Sequence, residues 1–262
     1  MLDSFVANQP LWLLCVILLV SLVVFEFLGR VLRQFLRRRA GAGTDAAADG
    51  IDYLLSSVFA LLGLLIAFTF GMALDRYESR RDLVVQEANA IGTAHIRTAF
   101  AAEPMQSQLR DQLEAYAKTR LAYGQAAFHD KPPLAAESER QRAVLASLGI
   151  AATQSVASAP MGPAVMASVN EVIDVGSTRE AINLAKVPTS VVAMLVGYAL
   201  ISAFVLGYSQ AIPSLVQRIG NGLLFLLLTL SLVTIFDLDR PATGTIKVSQ
   251  QPLVDLIAGF KK

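Results

Sequence analysis

Four apolar runs punctuate the chain: Leu11 to Leu28, Leu54 to Leu74, Val187 to Tyr208 and Ile219 to Phe236. Each is close to the roughly 20 apolar residues that cross a bilayer's hydrocarbon core. The second run turns charged at Asp75-Arg-Tyr-Glu-Ser-Arg-Arg-Asp82 without a break. From there to Pro104 no proline intervenes, and only Gly92 interrupts good helix formers. Gly63, Ala67, Phe70, Leu74, Tyr77, Arg81, Val84, Ala88, Ile91 and His95 follow one another in steps of three and four, the spacing of a single helical face. The pattern predicts one helix that leaves the membrane and continues into water, spanning about 70 Å.

Between the second and third runs the periodicity predicts three further helices. Gln106 to Phe128 places Leu109, Leu113, Tyr116, Ala117 and Leu121 on one face; Leu134 to Ser158 carries Val144, Leu145, Leu148 and Val156; Ala164 to Lys186 is the third. Glu103-Pro104, His129 to Pro133 and Pro160 to Pro163 supply the breaks. With the polar half of the long helix these make a helical extramembrane bundle. Arg30, Arg33, Arg37, Arg38 and Arg39 follow the first run. They read as a topology signal in a loop, with anionic-lipid or partner binding as the other reading. Ala40 to Gly50 has the composition of a flexible linker, and Asp52 is placed to cap the helix that follows. Glu26, four residues before Arg30, predicts an i,i+4 pair. The fold class is all-α integral membrane protein, organised as 1–50, first membrane helix, Arg-rich loop and linker; 51–103, long helix; 104–186, bundle; 187–236, third and fourth membrane helices; 237–262, tail. In the tail, Thr245 to Val248 reads as extended and the end as a short helix.

Composition agrees. The 262 residues are 54% hydrophobic, with a mean hydropathy of +0.53, too apolar for an ordinary soluble domain. A net charge of +1 gives no footprint for nucleic acid. Cys15, the single cysteine, sits in an apolar run, and His95 and His129 stand far apart, so no disulfide, metal site or cofactor is expected. No GxSxG, HExxH, Walker A or GxGxxG motif occurs, and no catalytic constellation can be assembled; the chain does not read as an enzyme.

Small residues repeat at four, Gly63, Ala67 and Gly71 in the second membrane helix and Ala199, Ala203 and Gly207 in the third, as close helix packing requires. Phe59, Gly63, Ile66, Phe70, Ala73 and Tyr77 form a bulkier stripe. Such a stripe faces lipid and neighbouring helices, or, if several copies surround an axis, forms a hydrophobic constriction. Two polar groups stand out beside the membrane: Arg81, Glu87, Asn89 and Arg97 on the outgoing helix, and Asn170, Glu171, Asp174 and Arg179 on the returning one. They are either a solvated face with inter-helix salt bridges or a polar vestibule and gating contact.

The run Gly63-Leu-Leu-Ile-Ala-Phe-Thr-Phe-Gly-Met-Ala-Leu74, the segment Arg80-Arg-Asp-Leu-Val-Val-Gln-Glu-Ala-Asn-Ala-Ile-Gly92, Asn170 to Arg179, Asp239-Arg-Pro-Ala-Thr-Gly244 and Ile246 to Leu253 together resemble the bacterial bestrophin-like domain family. Bestrophins are pentameric ion channels with four membrane helices per subunit, whose second membrane helix lines the pore. The resemblance implies a homo-oligomer, a pentamer by likeness, in a bacterial inner membrane, with lipid and inorganic ions as partners. It also implies that Ile66 and Phe70 belong to the neck. Asp239, Pro241 and Gly244 resemble the loop that helps bind calcium in animal bestrophins. Here only Asp237 and Asp239 bring carboxylates, too few for a calcium site. The arginines after the first helix place the first loop in the cytoplasm and the bundle outside, opposite to bestrophins, although Arg76, Arg80 and Arg81 weigh against this. The expected function is an oligomeric ion channel; the alternative is a non-conducting sensor or partner-binding module acting through the bundle.

Overall fold

The computed structural model describes residues 9–40, 48–128, 135–156, 161–210, 212–240 and 244–260. Its helices are α1 (Leu11–Ala40), α2 (Ala48–Arg97), α3 (Met105–Phe128), α4 (Ala135–Val156), α5 (Gly162–Leu184), α6 (Thr189–Ser209), α7 (Leu215–Leu238) and α8 (Gln251–Gly259), with one 3₁₀ turn at Thr98–Phe100. No strand occurs among the described residues. Four stretches, Leu11–Arg39, Tyr53–Phe100, Gly162–Ser209 and Leu215–Leu238, are long and apolar enough to cross a membrane. The protein is therefore an all-α, multi-pass membrane protein. The chain divides into two compact units, one of Met1–Leu74 with Val187–Asp239 and one of Asp75–Lys186 with Arg240–Lys262. The 50-residue α2 contributes its first half to one and its second half to the other.

In the membrane unit, α1 packs on α6 and α7. Leu14, Leu18, Leu22, Glu26 and Gly29 repeat at helical spacing and form its buried face. On α6 the facing line is Leu195, Ala199, Ala203, Leu206 and Gly207, which includes the small-residue repeat expected there. A side chain at Gly207 would collide with the Glu26 carbonyl, and one at Gly29 with the Phe204 carbonyl. These two glycines let the backbones of α1 and α6 approach as the membrane setting favours. The companion repeat on α2 behaves differently: Gly63 and Ala67 are exposed, and a Cβ at Gly63 or Gly71 would meet nothing within 4 Å among the described residues.

Several boundaries depart from expectation. Helix α1 continues through Arg30 to Arg39, which the composition placed in a loop, because Val31, Leu32, Phe35 and Leu36 sustain the helical spacing and arginine is a good helix former. Helix α2 begins at Ala48, so Asp52 falls in its second turn and not at its cap. Ser214 caps α7 with a capping box: its hydroxyl accepts from the Gln217 N–H at 3.3 Å, and the Gln217 amide oxygen accepts from the Ser214 N–H at 2.8 Å. The tail segment 244–250 is irregular, not extended strand. The linker residues 41–47, the break at 129–134 with His129, Pro160 and Pro241 lie outside the described residues.

The bundle unit has one core. Val84, Ala88, Ile91 and Ala94 of α2 join Leu109, Leu113, Tyr116 and Ala117 of α3, Leu148 and Ala152 of α4, Val165, Val169 and Val172 of α5, and Leu253 of α8. The α3 face is the one its periodicity predicts.

The Gly207 crossing gives a direct test. Gly207→Ala should lower the thermal midpoint of the detergent-solubilised protein, by the equivalent of about 1–3 kcal/mol for overpacking. Gly63→Ala should leave it unchanged or raise it, since the site is open and alanine is the better helix former by about 1 kcal/mol. Equal midpoints for both variants would remove the close crossing.

Candidate functional site

The residues singled out in the sequence fall into three places. The first is the membrane half of α2. Leu62, Thr69 and Ala73 are buried, and Phe59, Ile66 and Tyr77 lie half-buried beside that line. Gly63 and Phe70 are exposed, Phe70 at 38%. The stripe thus runs along the margin of the packed face and is left part-uncovered by its own chain. Farther round, Leu61, Leu64 and Phe68 are exposed as well.

The second place is inside the bundle. Glu87 has no accessible surface. Its Oε1 accepts from the Tyr116 hydroxyl at 2.6 Å and lies 2.6 Å from Arg120 Nε; its Oε2 accepts from Arg120 Nη2 at 3.1 Å and from Arg179 Nη1. Arg179 Nη2 donates to Gln250 Oε1 at 2.7 Å, and Gln250 Nε2 donates to the Val248 carbonyl at 3.0 Å. Four segments are joined by this cluster: α2, α3, α5 and the stretch leading into α8. Glycines make the room. A Cβ at Gly176 would strike the Tyr116 hydroxyl, and one at Gly124 the Gln250 side chain.

The electrostatics follow from burial. Desolvation pushes the Glu87 carboxyl up, but Arg120, Arg179 and the hydrogen bonds from Tyr116 and Arg179 together hold it below the ordinary value of 4.5. Burial and the Glu87 charge push the Tyr116 phenol far up, so it remains a donor. Burial lowers Arg179, against the pull of Glu87, while Arg120 is raised because Glu87 outweighs its desolvation. These shifts keep the Glu87 carboxylate charged and the Tyr116 phenol neutral at neutral pH. The cluster holds helices in place and has no group free to act as acid, base or nucleophile.

Of the polar residues expected at a mouth, the structure brings Glu87 and Arg179 together, but in the core and not on a solvated face. Helical phase explains it: Arg80, Val84, Glu87 and Ile91 share the buried side of α2, whereas Arg81 and Asn89 point outward. Asn170, Glu171 and Asp174 are likewise exposed on α5, opposite buried Val169, Val172 and Arg179. Tyr116, Arg120 and Gln250 escaped the sequence reading. Tyr116 was visible only as a core position, and a lone arginine inside an amphipathic helix carries no signal of its own burial.

The third place is one end of the membrane unit. Glu26 Oε1 pairs with Arg30, as the i,i+4 spacing predicts, and also accepts from Asn221 Nδ2 at 2.6 Å. Asn221 Nδ2 lies 2.9 Å from Gln210 Oε1, to which it also donates. Arg33 donates to the carbonyls of Tyr208, at 2.9 Å, and Ser209, at the end of α6. In the same unit the Asp239 carboxylate accepts the Val187 N–H at 2.9 and 3.1 Å, tying the end of α7 to the approach to α6. Gly244 is buried, its N–H donating to the Arg240 carbonyl at 3.1 Å. No group of three His, Cys, Asp or Glu side chains suited to a metal occurs among the described residues.

The Bestrophin-like domain model matches residues 15–253, and the chain belongs to that family. Two solved structures share the fold. One is a bacterial bestrophin homologue from Klebsiella pneumoniae carrying a tyrosine-to-alanine substitution, 13% identical, with a TM-score of 0.60 over 93% of this chain and 98% of that one. The other is a membrane protein carrying a leucine-to-alanine substitution, 12% identical, with a TM-score of 0.62 and the same coverage. No curated protein matches the chain.

Glu87→Gln should cost the bundle about 3–5 kcal/mol, because it leaves two guanidinium groups buried without their carboxylate. The pH profile carries a sign. The lowered carboxyl contributes stability above pH 4.5 that is lost as pH falls through its folded-state value, because there the unfolded chain binds the extra proton. The melting midpoint of the wild type should fall across that window, and that of Glu87→Gln should fall less. Parallel profiles would show that Glu87 is not the group responsible.

Proposed function

We propose that the protein is the subunit of a homo-oligomeric ion channel whose pore is lined by the membrane half of α2. Membership of the bestrophin-like family supports the reading, and the observation that carries it is the part-uncovered stripe on α2. Phe59, Ile66 and Phe70 form the constriction, with Gly63 on the same face and Tyr77 at its bundle-side end. A ring of such side chains resists hydration and gates ions by dewetting. The exposed Arg81, Asn89, Asn170, Glu171 and Asp174 line the polar mouth, and Glu87 with Arg179 braces the helices that carry them. The mouth bears both signs of charge, so it does not dictate the sign of the conducted ion. By the arginines at the end of α1 the bundle is extracytoplasmic in a bacterial inner membrane; a reporter active only in the cytoplasm, fused after Lys262, would reverse that orientation if it worked.

Ion flux from liposomes holding the purified protein tests the reading. The wild type should conduct, and Phe70→Ala should raise the leak, as removal of a dewetting side chain predicts. Single cysteines at 59, 66 and 70 should react with a membrane-impermeant thiol reagent from the aqueous side. An intact oligomer that passes neither anions nor cations, with all three cysteines unreactive, would favour a sensor or partner-binding module instead.

A further inference from the structure

One end of the membrane unit is basic and apolar at once. The α1 helix is 30 residues long, about 45 Å, against a hydrocarbon core of about 30 Å. Exposed Trp12 suits the interface at its start. The core then ends roughly 20 residues on, near Leu32. The remaining turns hold exposed Phe35 and Leu36, then Arg37, Arg38 and Arg39, with the Arg39 guanidinium 4.4 Å from the centre of the Phe35 ring. Arg33, anchored on the last carbonyls of α6, and Asn221, bonded to Glu26, place the start of α7 at this same end. There Ile212, Leu215 and Val216 are 83%, 74% and 79% exposed, followed by exposed Arg218. On α1 apolar side chains come first and guanidinium groups follow outward; α7 runs inward from this end, so Arg218 lies one turn inside Leu215 and Val216, within reach of the interface by snorkelling.

The charge is one-sided. Within residues 26–40 and 210–222 the ionisable groups are six arginines, at 30, 33, 37, 38, 39 and 218, and one carboxylate, Glu26. Glu26 is buried and held by Arg30. Asp45, Asp49 and Asp52 follow in sequence and are the carboxylates that could compete. We propose that this end of the α1–α6–α7 unit is a docking surface for anionic phospholipid headgroups, with Arg38 and Arg39 meeting the phosphates, Arg218 reaching outward to them past Leu215 and Val216, and Phe35 and Leu36 seated among the upper acyl carbons. A planar guanidinium matches a phosphate diester with paired hydrogen bonds. Each basic side chain at an anionic surface contributes about five-fold in affinity.

Native mass spectrometry of the solubilised full chain, titrated with phosphatidylglycerol against phosphatidylethanolamine, reads the preference directly. The wild type should retain the anionic lipid selectively. The variant R38Q/R39Q/R218Q should lose about 100-fold of that selectivity, five-fold compounded over three arginines. The variant R38K/R39K/R218K should keep most of it, and Lys118→Gln, on the bundle, should keep all of it. Equal binding of both lipids by the wild type, unchanged selectivity in the glutamine variant, or equal loss in the lysine variant would each overturn the proposal. So would a glutamine variant with altered subunit number and unaltered lipid selectivity, which would mark the face as a contact between copies of the chain.

Discussion

A buried carboxylate carries a desolvation penalty of several kcal/mol unless opposite charge and hydrogen bonds compensate it. In the bundle Glu87 meets that condition with Arg120, Arg179 and the Tyr116 hydroxyl. The arrangement works in one geometry, with α2, α3 and α5 in a single relative phase. Apolar packing alone would tolerate a rotated helix, as Val84, Ala88 and Ile91 are similar in bulk to many alternatives. The ionic cluster makes a rotation expensive, because any slip strands two guanidinium groups away from water. Gln250 extends the same constraint to the stretch that leads into α8.

The membrane unit uses a second cluster of the same kind. Glu26, Arg30 and Asn221 join α1 to α7, and Arg33 closes the end of α6. Between the helices the contact is steric, with Gly29 and Gly207 bringing backbones together where lipid offers no hydrophobic drive to association. Helix α2 stands apart in that Gly63 and Gly71 of its small-residue line meet no neighbouring side chain among the described residues. The same helix carries Glu87, so the element with the most closely specified position in the bundle is also the one that presents the stripe.

Much of this architecture was legible in the sequence because it rests on local periodicity. The four apolar runs, the uninterrupted passage from Leu74 to Asp75, the Leu109 to Ala117 face and the Ala199, Ala203, Gly207 line each follow from spacing alone. The Bestrophin-like resemblance, carried by Gly63 to Gly92 and the tail motif, agrees with the family the chain belongs to. What escaped depends on contacts between distant residues. Glu87 and Arg179 are 92 positions apart and Arg179 and Gln250 are 71, so nothing local marks them as partners. Composition also misplaced the arginines of α1, since a run of charge suggests a loop while the interleaved Val31, Leu32, Phe35 and Leu36 keep it helical. Residues such as Arg81 and Asp174 looked equivalent to Glu87 and Arg179, and one step of helical phase separates an exposed side chain from a buried one.

A pore requires several α2 helices around one axis, because a stripe on a lone subunit encloses nothing. The direct measurement is the mass of the complex in nanodiscs of native lipid, with bound lipid accounted for. A closed ring of about five subunits is the predicted result, consistent with cyclic symmetry around a shared axis. A monomer or dimer that persists in native lipid would contradict it, and the α2 stripe would then be a surface for lipid or for a partner of the bundle.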